Sequence, residues 1–269
     1  TVARNIFVGL QTSADCVYIM DYVRDAPGGR ELVSRMNGKN YVLEERLIKP
    51  LVSGTDVKRY HTPPKRQFII FPYEIENEKA KLIPMDEIKK RYPSAHAYLI
   101  ANKKTLEDRE KSRMKGPNWH GYIYLKNMDK QGLTKLCVPR LVMRIQCFYD
   151  SRGEFYLDNV DVGGVTLKDE SDENYLYVCA LLNSALLSFY VRRISTQFRG
   201  GWVSCNKQYL SQLPIKMSED EKTLKNLASL AQRISQLKFA KTKLLALWGE
   251  WSARLKNDKT SLQSLLVQD

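Results

Sequence analysis

Histidine is scarce in this chain of 269 residues, and glycine-rich nucleotide loops are missing altogether. The three histidines, His61, His96 and His120, lie far apart in different contexts and read as turn or surface residues rather than ligands. The five cysteines, Cys16, Cys137, Cys147, Cys179 and Cys205, form no C-x-x-C pair and are odd in number. That pattern argues against a zinc site and for free thiols buried in a reducing cytoplasm. No G-x-x-x-x-G-K and no G-x-G-x-x-G occurs, which excludes the familiar phosphate-cradling loops. No G-x-S-x-G elbow offers a serine nucleophile. Glu154 and Asp158 are single acids beside a turn, too sparse to suggest a nuclease site. No signal peptide is present, and no apolar run approaches the ~20 residues of a membrane span. The chain itself is therefore expected to be non-catalytic, without a metal or cofactor of its own and without a membrane partner.

Acid is also in deficit. Lys and Arg number 43 against 30 Asp and Glu, a formal net charge of +13. Such a balance favours a polyanionic partner, nucleic acid first and an anionic membrane face second, with plain solubility as the alternative.

The most apolar stretch, Tyr175–Val191, repeats Leu, Ala, Phe and Tyr at helical spacing nearly all round, which predicts a buried helix. Ser171 or Asp172 can cap it. From Arg192 to Lys207 the character inverts: four cations, no acid, and Phe198, Gly200, Gly201 and Trp202 among them. A buried helix is thus expected to present a basic, aromatic loop.

Around that centre the pattern predicts strands at 4–9, 16–20, 31–35, 66–71, 135–149, 154–157 and 160–165. Asp150–Gly153 reads as a hairpin turn between two of them. Short helices are expected at 84–93 and within the charge-rich stretch 103–115, which precedes Trp119. That stretch is either a solvated helix laced with local ion pairs or a positive edge with an exposed Trp119. After Pro214, Ser218 to Glu221 reads as a capping box. Leu227, Leu230, Ile234, Leu237, Lys241, Leu244, Trp248, Trp251 and Leu255 then follow a three-four spacing, apolar except at Lys241. This predicts a long helix with a coiled-coil-like seam, able to pack in its own domain, on other parts of a longer chain or on a second copy.

Five segments in order resemble a known family: IFVGLQTSADCVYIM at 6–20, LIKPLVSGTDVKRY at 47–60, the AYLIANKKTLEDR run leading to Trp119, KLCVPRLVMRIQCFYDSRGEFY at 135–156, and YLYVCALLNSALLSFY with GGW and LSQLPI at 175–215. Together they look like the TaqI-like C-terminal specificity domain, the target-recognition part of adenine-N6 DNA methyltransferases and of fused restriction–modification enzymes. The resemblance implies an α+β fold, with a mixed-sheet recognition domain over 1–215 and a helical segment over 216–269. It implies duplex DNA as partner, and an N-terminal methyltransferase domain that binds S-adenosylmethionine and is absent here. The hallmark Asn-Pro-Pro-Tyr/Phe of that domain is missing, since this chain has only Thr62-Pro63-Pro64-Lys65. A start at Thr1, inside an expected strand, accords with a piece of a longer protein. The family often reads Gly-Ile-x-Thr-Gly where this chain has Gly9-Leu10-Gln11-Thr12-Ser13. Basic and aromatic positions then become the candidate DNA contacts: Lys58, Arg59, Lys65, Arg66, Arg109, Arg113, Lys115, Trp119, Arg199, Trp202 and Lys207. A protein-assembly module working through the C-terminal helix is the alternative.

Overall fold

The computed structural model describes residues 2–159 and 161–266, with side chains as far as Ala253. The first half runs β1 (Ala3–Val8), α1 (Asp15–Tyr18), β2 (Ile19–Ala26), β3 (Gly29–Ser34), β4 (Asn40–Leu43), β5 (Ile48–Val52), β6 (Gln67–Ile70), β7 (Tyr73–Glu76) and β8 (Lys79–Leu82). Short helices follow: α2 (Met85–Arg91), α3 (Pro93–Ala101), α4 (Lys103–Glu107) and the distorted turn α5 (Arg109–Ser112). The second half holds β9 (Lys135–Pro139), β10 (Leu141–Val142), β11 (Phe148–Asp150), β12 (Tyr156–Leu157) and β13 (Val162–Leu167), then α6 (Asp172–Leu182) and α7 (Ala185–Ile194). It ends with β14 (Val203–Ser204), α8 (Lys207–Leu210) and the long α9 (Glu221–Leu266).

The fold is α+β, as the sequence pattern implies. Two sheets organise it. One is six-stranded in the order β12-β5-β6-β2-β3-β4, the other four-stranded in the order β1-β13-β9-β11. The near-continuous apolar run of β6 suits its place inside the larger sheet, with Phe68, Ile69 and Ile70 all buried. Tyr18, Met20, Leu32, Phe71, Tyr98 and Tyr122 fill the core on that sheet. The four-stranded sheet packs Leu136, Val138 and Val165 against Tyr175, Val178 and Leu182 of α6. Phe7, Val52, Val57, Phe148, Phe155 and Leu157 form a third cluster with residues from both sheets.

Several sequence expectations change here. Residues 15–18 form one helical turn before β2 begins at Ile19. Asp150–Gly153 is a turn, but it joins two sheets instead of closing a hairpin: β11 pairs with β9, while β12 runs parallel to β5. The N-cap of α9 is Asp220, whose carboxylate accepts from the Lys222 and Thr223 amides, both at 3.2 Å, in place of the Ser218–Glu221 box. No single helix among the described residues is long and apolar enough to cross a membrane.

Candidate nucleic-acid interface

The apolar run at 175–191 is broken at Asn183-Ser184, and α6 and α7 bend by 63°. Ser171 caps α6 by accepting from the Asn174 amide at 3.3 Å, and Ser184 caps α7 from the Leu187 amide at 3.1 Å. Asn183 between them is fully buried. Its amide donates to the Cys147 and Cys179 carbonyls, both at 2.9 Å, and its Oδ1 accepts from the Cys147 amide at 3.0 Å. The bend decides what each half does. α6 buries Tyr175, Tyr177, Val178, Cys179 and Leu182. α7 buries only Leu187, Ser188 and Val191, and turns Leu186, Phe189 and Tyr190 outward. The expectation of one helix buried all round therefore holds for α6 and fails for α7. Arg193 lies over the Phe189 ring at 4.9 Å, so the exposed face of α7 is aromatic and cationic together.

The loop after α7 is held from beneath. Arg192 donates to the Met143 carbonyl at 2.9 Å and the Gly201 carbonyl at 3.2 Å, and the Phe198 amide donates to the Trp202 carbonyl at 2.8 Å. Gly200 and Gly201 take φ of +76° and +78°, a region glycine enters freely. The Trp202 indole lies along Gly200, where an added Cβ would sit 3.5 Å from Cδ1. β14 then pairs with β10, which sets Leu141 and Met143 beside the loop. The outcome is a surface with Phe198, Met143 and Trp202 exposed, Trp202 at 42%, and with Arg144 and Arg199 exposed among them.

The other candidate residues divide into four groups. Lys58, Arg59 and Arg66 lie on the 58–66 loop, where Arg59 donates to the Asn183 carbonyl at 2.7 Å and so braces the α6–α7 bend. Lys65 pairs with Glu154 at 2.9 Å, and Arg113 sits 3.6 Å from Glu110. Lys115 and Lys207 are exposed, Lys207 at the start of α8 and sharing a groove with Arg140. Arg109 and Trp119 are corrected: both are buried, at 7% and 5% exposure. Arg109 donates to the carbonyls of Leu106, Thr12, Trp119 and Gly121 at 2.7–2.9 Å. Its charge is consumed in holding α4, the residue 12 turn and the 119–121 segment together, so neither residue faces a ligand.

Residues 49–215 match the family model of the TaqI-like C-terminal specificity domain. The chain belongs to that family. The chain is 27% identical over 225 residues to the Type II restriction enzyme and methyltransferase RM.Eco57I of Escherichia coli, covering 78% of this chain and 22% of that protein. It is 24% identical over 217 residues to the Type II methyltransferase M.BanIII of Aneurinibacillus aneurinilyticus, covering 79% of this chain and 34% of that protein. The chain thus spans about a fifth to a third of the curated relatives it matches.

Sequence reasoning passed over Arg144 and Asn183 of this specificity domain and Lys238 of α9, and read His61 only as a turn or surface residue. Arg144 sits in an apolar alternation that reads as strand, and only its pairing neighbours carry it to the loop. Asn183-Ser184 did carry a signal, an end-of-helix residue followed by an N-cap residue inside an apolar run. Lys238 and Arg59 meet across 179 residues of chain, a separation no local pattern spans.

Proposed function

We propose that this chain is the DNA target-recognition part of a restriction–modification enzyme that methylates adenine at N6. The single observation that carries this reading is the coincidence of the specificity-domain match over 49–215 with the surface of Arg144, Phe198, Arg199 and Trp202. Arginine serves phosphate and guanine alike, through its planar fork of donors. The two glycines after Arg199 bring backbone amides within reach of a phosphate, and the half-exposed indole offers a stacking face. Catalysis belongs to another domain. The one Pro-Pro segment does not fit a substrate or cofactor cradle: Pro63 is buried and Lys65 is engaged with Glu154. S-Adenosylmethionine is accordingly assigned to the catalytic domain, and no step of methyl transfer is placed here.

Duplex binding as a function of salt tests the reading. This chain should bind with Kd of roughly 10⁻⁴–10⁻⁶ M, the range of non-specific contact, because its recognition surface acts without the other half of a clamp. Arg199→Ala should weaken binding and flatten the salt dependence with little change in melting temperature. Trp202→Ala should weaken binding too, and its partial exposure keeps the stability cost well below the ~3–5 kcal/mol of a packed tryptophan. Affinity indifferent to salt between about 50 and 200 mM would sink the proposal.

A second reading, assembly through α9, has one observation in its favour. Leu224, Leu227, Ala228 and Ala231 of α9 pack toward the α6 core, but Leu230, Leu237, Leu244, Trp248 and Trp251 of the heptad seam are 52–69% exposed. Lys241 interrupts that seam, and Leu255 lies outside the described side chains. The seam is not buried within its own chain, which leaves a second copy or another domain to cover it. Leu244→Glu should convert a sedimenting dimer to monomer; a wild-type chain monomeric at 100-fold increased concentration would remove self-association.

A further inference from the structure

α9 crosses the 58–66 loop at a cluster of cations. Lys238 donates to the Arg59 carbonyl at 2.6 Å, which uses one of its three N–H donors and leaves two. The Arg59 guanidinium turns back to Asn183, and its Nε is shielded from solvent without a hydrogen-bond partner. His61 closes a tight turn on Lys58, its amide donating to the Lys58 carbonyl at 3.2 Å. Burial first, then the charges of Lys238 and Arg66, hold the His61 imidazole below its ordinary range. Burial, Arg59 and Lys241 do the same to the Lys238 ammonium. Among the described residues no carboxylate lies within salt-bridge distance of any member of the cluster. Elsewhere the chain pairs its crowded cations: Arg30 with Asp25 and Glu45, Arg91 with Glu74 and Glu87. Here Lys238 meets a loop that carries Lys58, Arg59, His61 and Arg66, and none of these is paired with a carboxylate among the described residues.

We infer that His61, Arg66, Lys238 and Lys241, backed by Arg59, form an anion site for a backbone phosphate of DNA, shared between the recognition fold and α9. A phosphate bound here accepts from the two free donors of Lys238, and its charge favours the protonated form of His61. The site would make α9 part of the DNA-contacting surface, although it lies beyond the 49–215 family match. The α6–α7 bend connects it to the recognition loop. Arg59 grips Asn183 at one end of α7, and Arg192 grips the loop at the other, about 15 Å away along ten residues of helix. At about 3.4 Å of helix axis per phosphate on one strand, that separation is on the order of four to five base pairs.

The inference rests on the DNA-recognition reading, and the experiment separates the two. The whole chain is compared as wild type, Lys241→Gln and Lys238→Gln/Lys241→Gln, with a short DNA duplex and with inorganic pyrophosphate. The readouts are the salt slope of duplex binding and the His61 pKa followed by NMR. Both anions should raise the His61 pKa in the wild type, and the double variant should abolish the rise. The double variant should bind the duplex three- to tenfold more weakly, with a log–log salt slope smaller by about one to two, at ~0.9 per phosphate contact. Among the described residues Lys241→Gln breaks no side-chain hydrogen bond, so its effect in the same direction at unchanged melting temperature excludes mere undocking of α9. If the duplex binds with ordinary salt dependence but His61 does not respond and the variants match wild type, the site is overturned and the recognition reading stands. If pyrophosphate shifts His61 and no duplex binds at any salt, the recognition reading fails, and with it the assignment of the anion to DNA.

Discussion

Arg109 is buried and Arg199 is exposed, so the two guanidinium groups do different work. Arg109 has its donors aimed at four backbone carbonyls and its guanidinium over Tyr18 at 5.6 Å. Arg109→Met should cost several kcal/mol in urea unfolding, at about 1–3 kcal/mol for each buried group left unsatisfied. Arg113→Ala, at an exposed position four residues along the chain, should stay within about 0.5 kcal/mol. Asp158 gives a pH test at the same scale. Burial, reinforced by Asp15 and Asp161, raises its pKa from 3.8 to about 6. The folded state therefore holds the proton more tightly than the unfolded chain. The resulting stability is fully present below about pH 4 and is lost as pH rises through about 6. Asp158→Asn stays neutral at every pH. It should raise the melting temperature over wild type at pH 7.5, and the gain should vanish near pH 4.

At the scale of elements, the bend between α6 and α7 decides which apolar residues are core and which are surface. Asn183 holds it through three hydrogen bonds to backbone groups of Cys147 and Cys179. Asn183→Ala should destabilise by about 2–3 kcal/mol by orphaning those groups, more than a surface substitution and in keeping with the loss of one buried polar junction. It should also weaken duplex binding more than its stability loss explains, since α7 carries Arg192 and the loop beyond it. Chemical unfolding and DNA titration on the same preparation check both parts. α9 shows the same division along its length. Its first turns bury alanines against α6, and its later turns turn tryptophans outward, with Trp248 and Trp251 in contact at 5.1 Å between ring centroids.

For the molecule as a whole, the joint between the two sheets matters most. Lys135 of β9 is fully buried and donates to Asp150 of β11 at 2.8 Å and to the Gln131 and Leu133 carbonyls at 2.7 and 3.1 Å. Asp150 in turn accepts from the Glu154 and Phe155 amides at 3.1 and 3.0 Å, just before the chain enters β12 of the other sheet. The pair thus ties the four-stranded sheet to the six-stranded one. Lys135→Met leaves a buried carboxylate without its cation and should cost about 3–5 kcal/mol. A single cooperative transition shifted to lower urea would match this role; an unshifted midpoint would contradict it.

The amino-acid sequence alone determined the elements whose signal is local and periodic. The apolar runs of β6 and α6, the Pro84–Pro93 helix and the heptad pattern of α9 were legible because apolar spacing, prolines and helix-end charges are local features of the chain. The family was legible too, in the order of five segments. The fate of individual polar side chains was decided only by the tertiary structure. Glu44 shows why: its carboxylate caps α3 by accepting from the Ser94 and Ala95 amides at 2.8 and 3.0 Å, fifty residues along the chain. Arg109, Trp119, Asn183 and the Lys238–Arg59 crossing follow the same logic. A cation becomes a ligand contact or a buried strut according to which carbonyls the fold brings to it. Those carbonyls come from distant segments, and hydrogen bonding between distant segments leaves no periodic trace in the sequence.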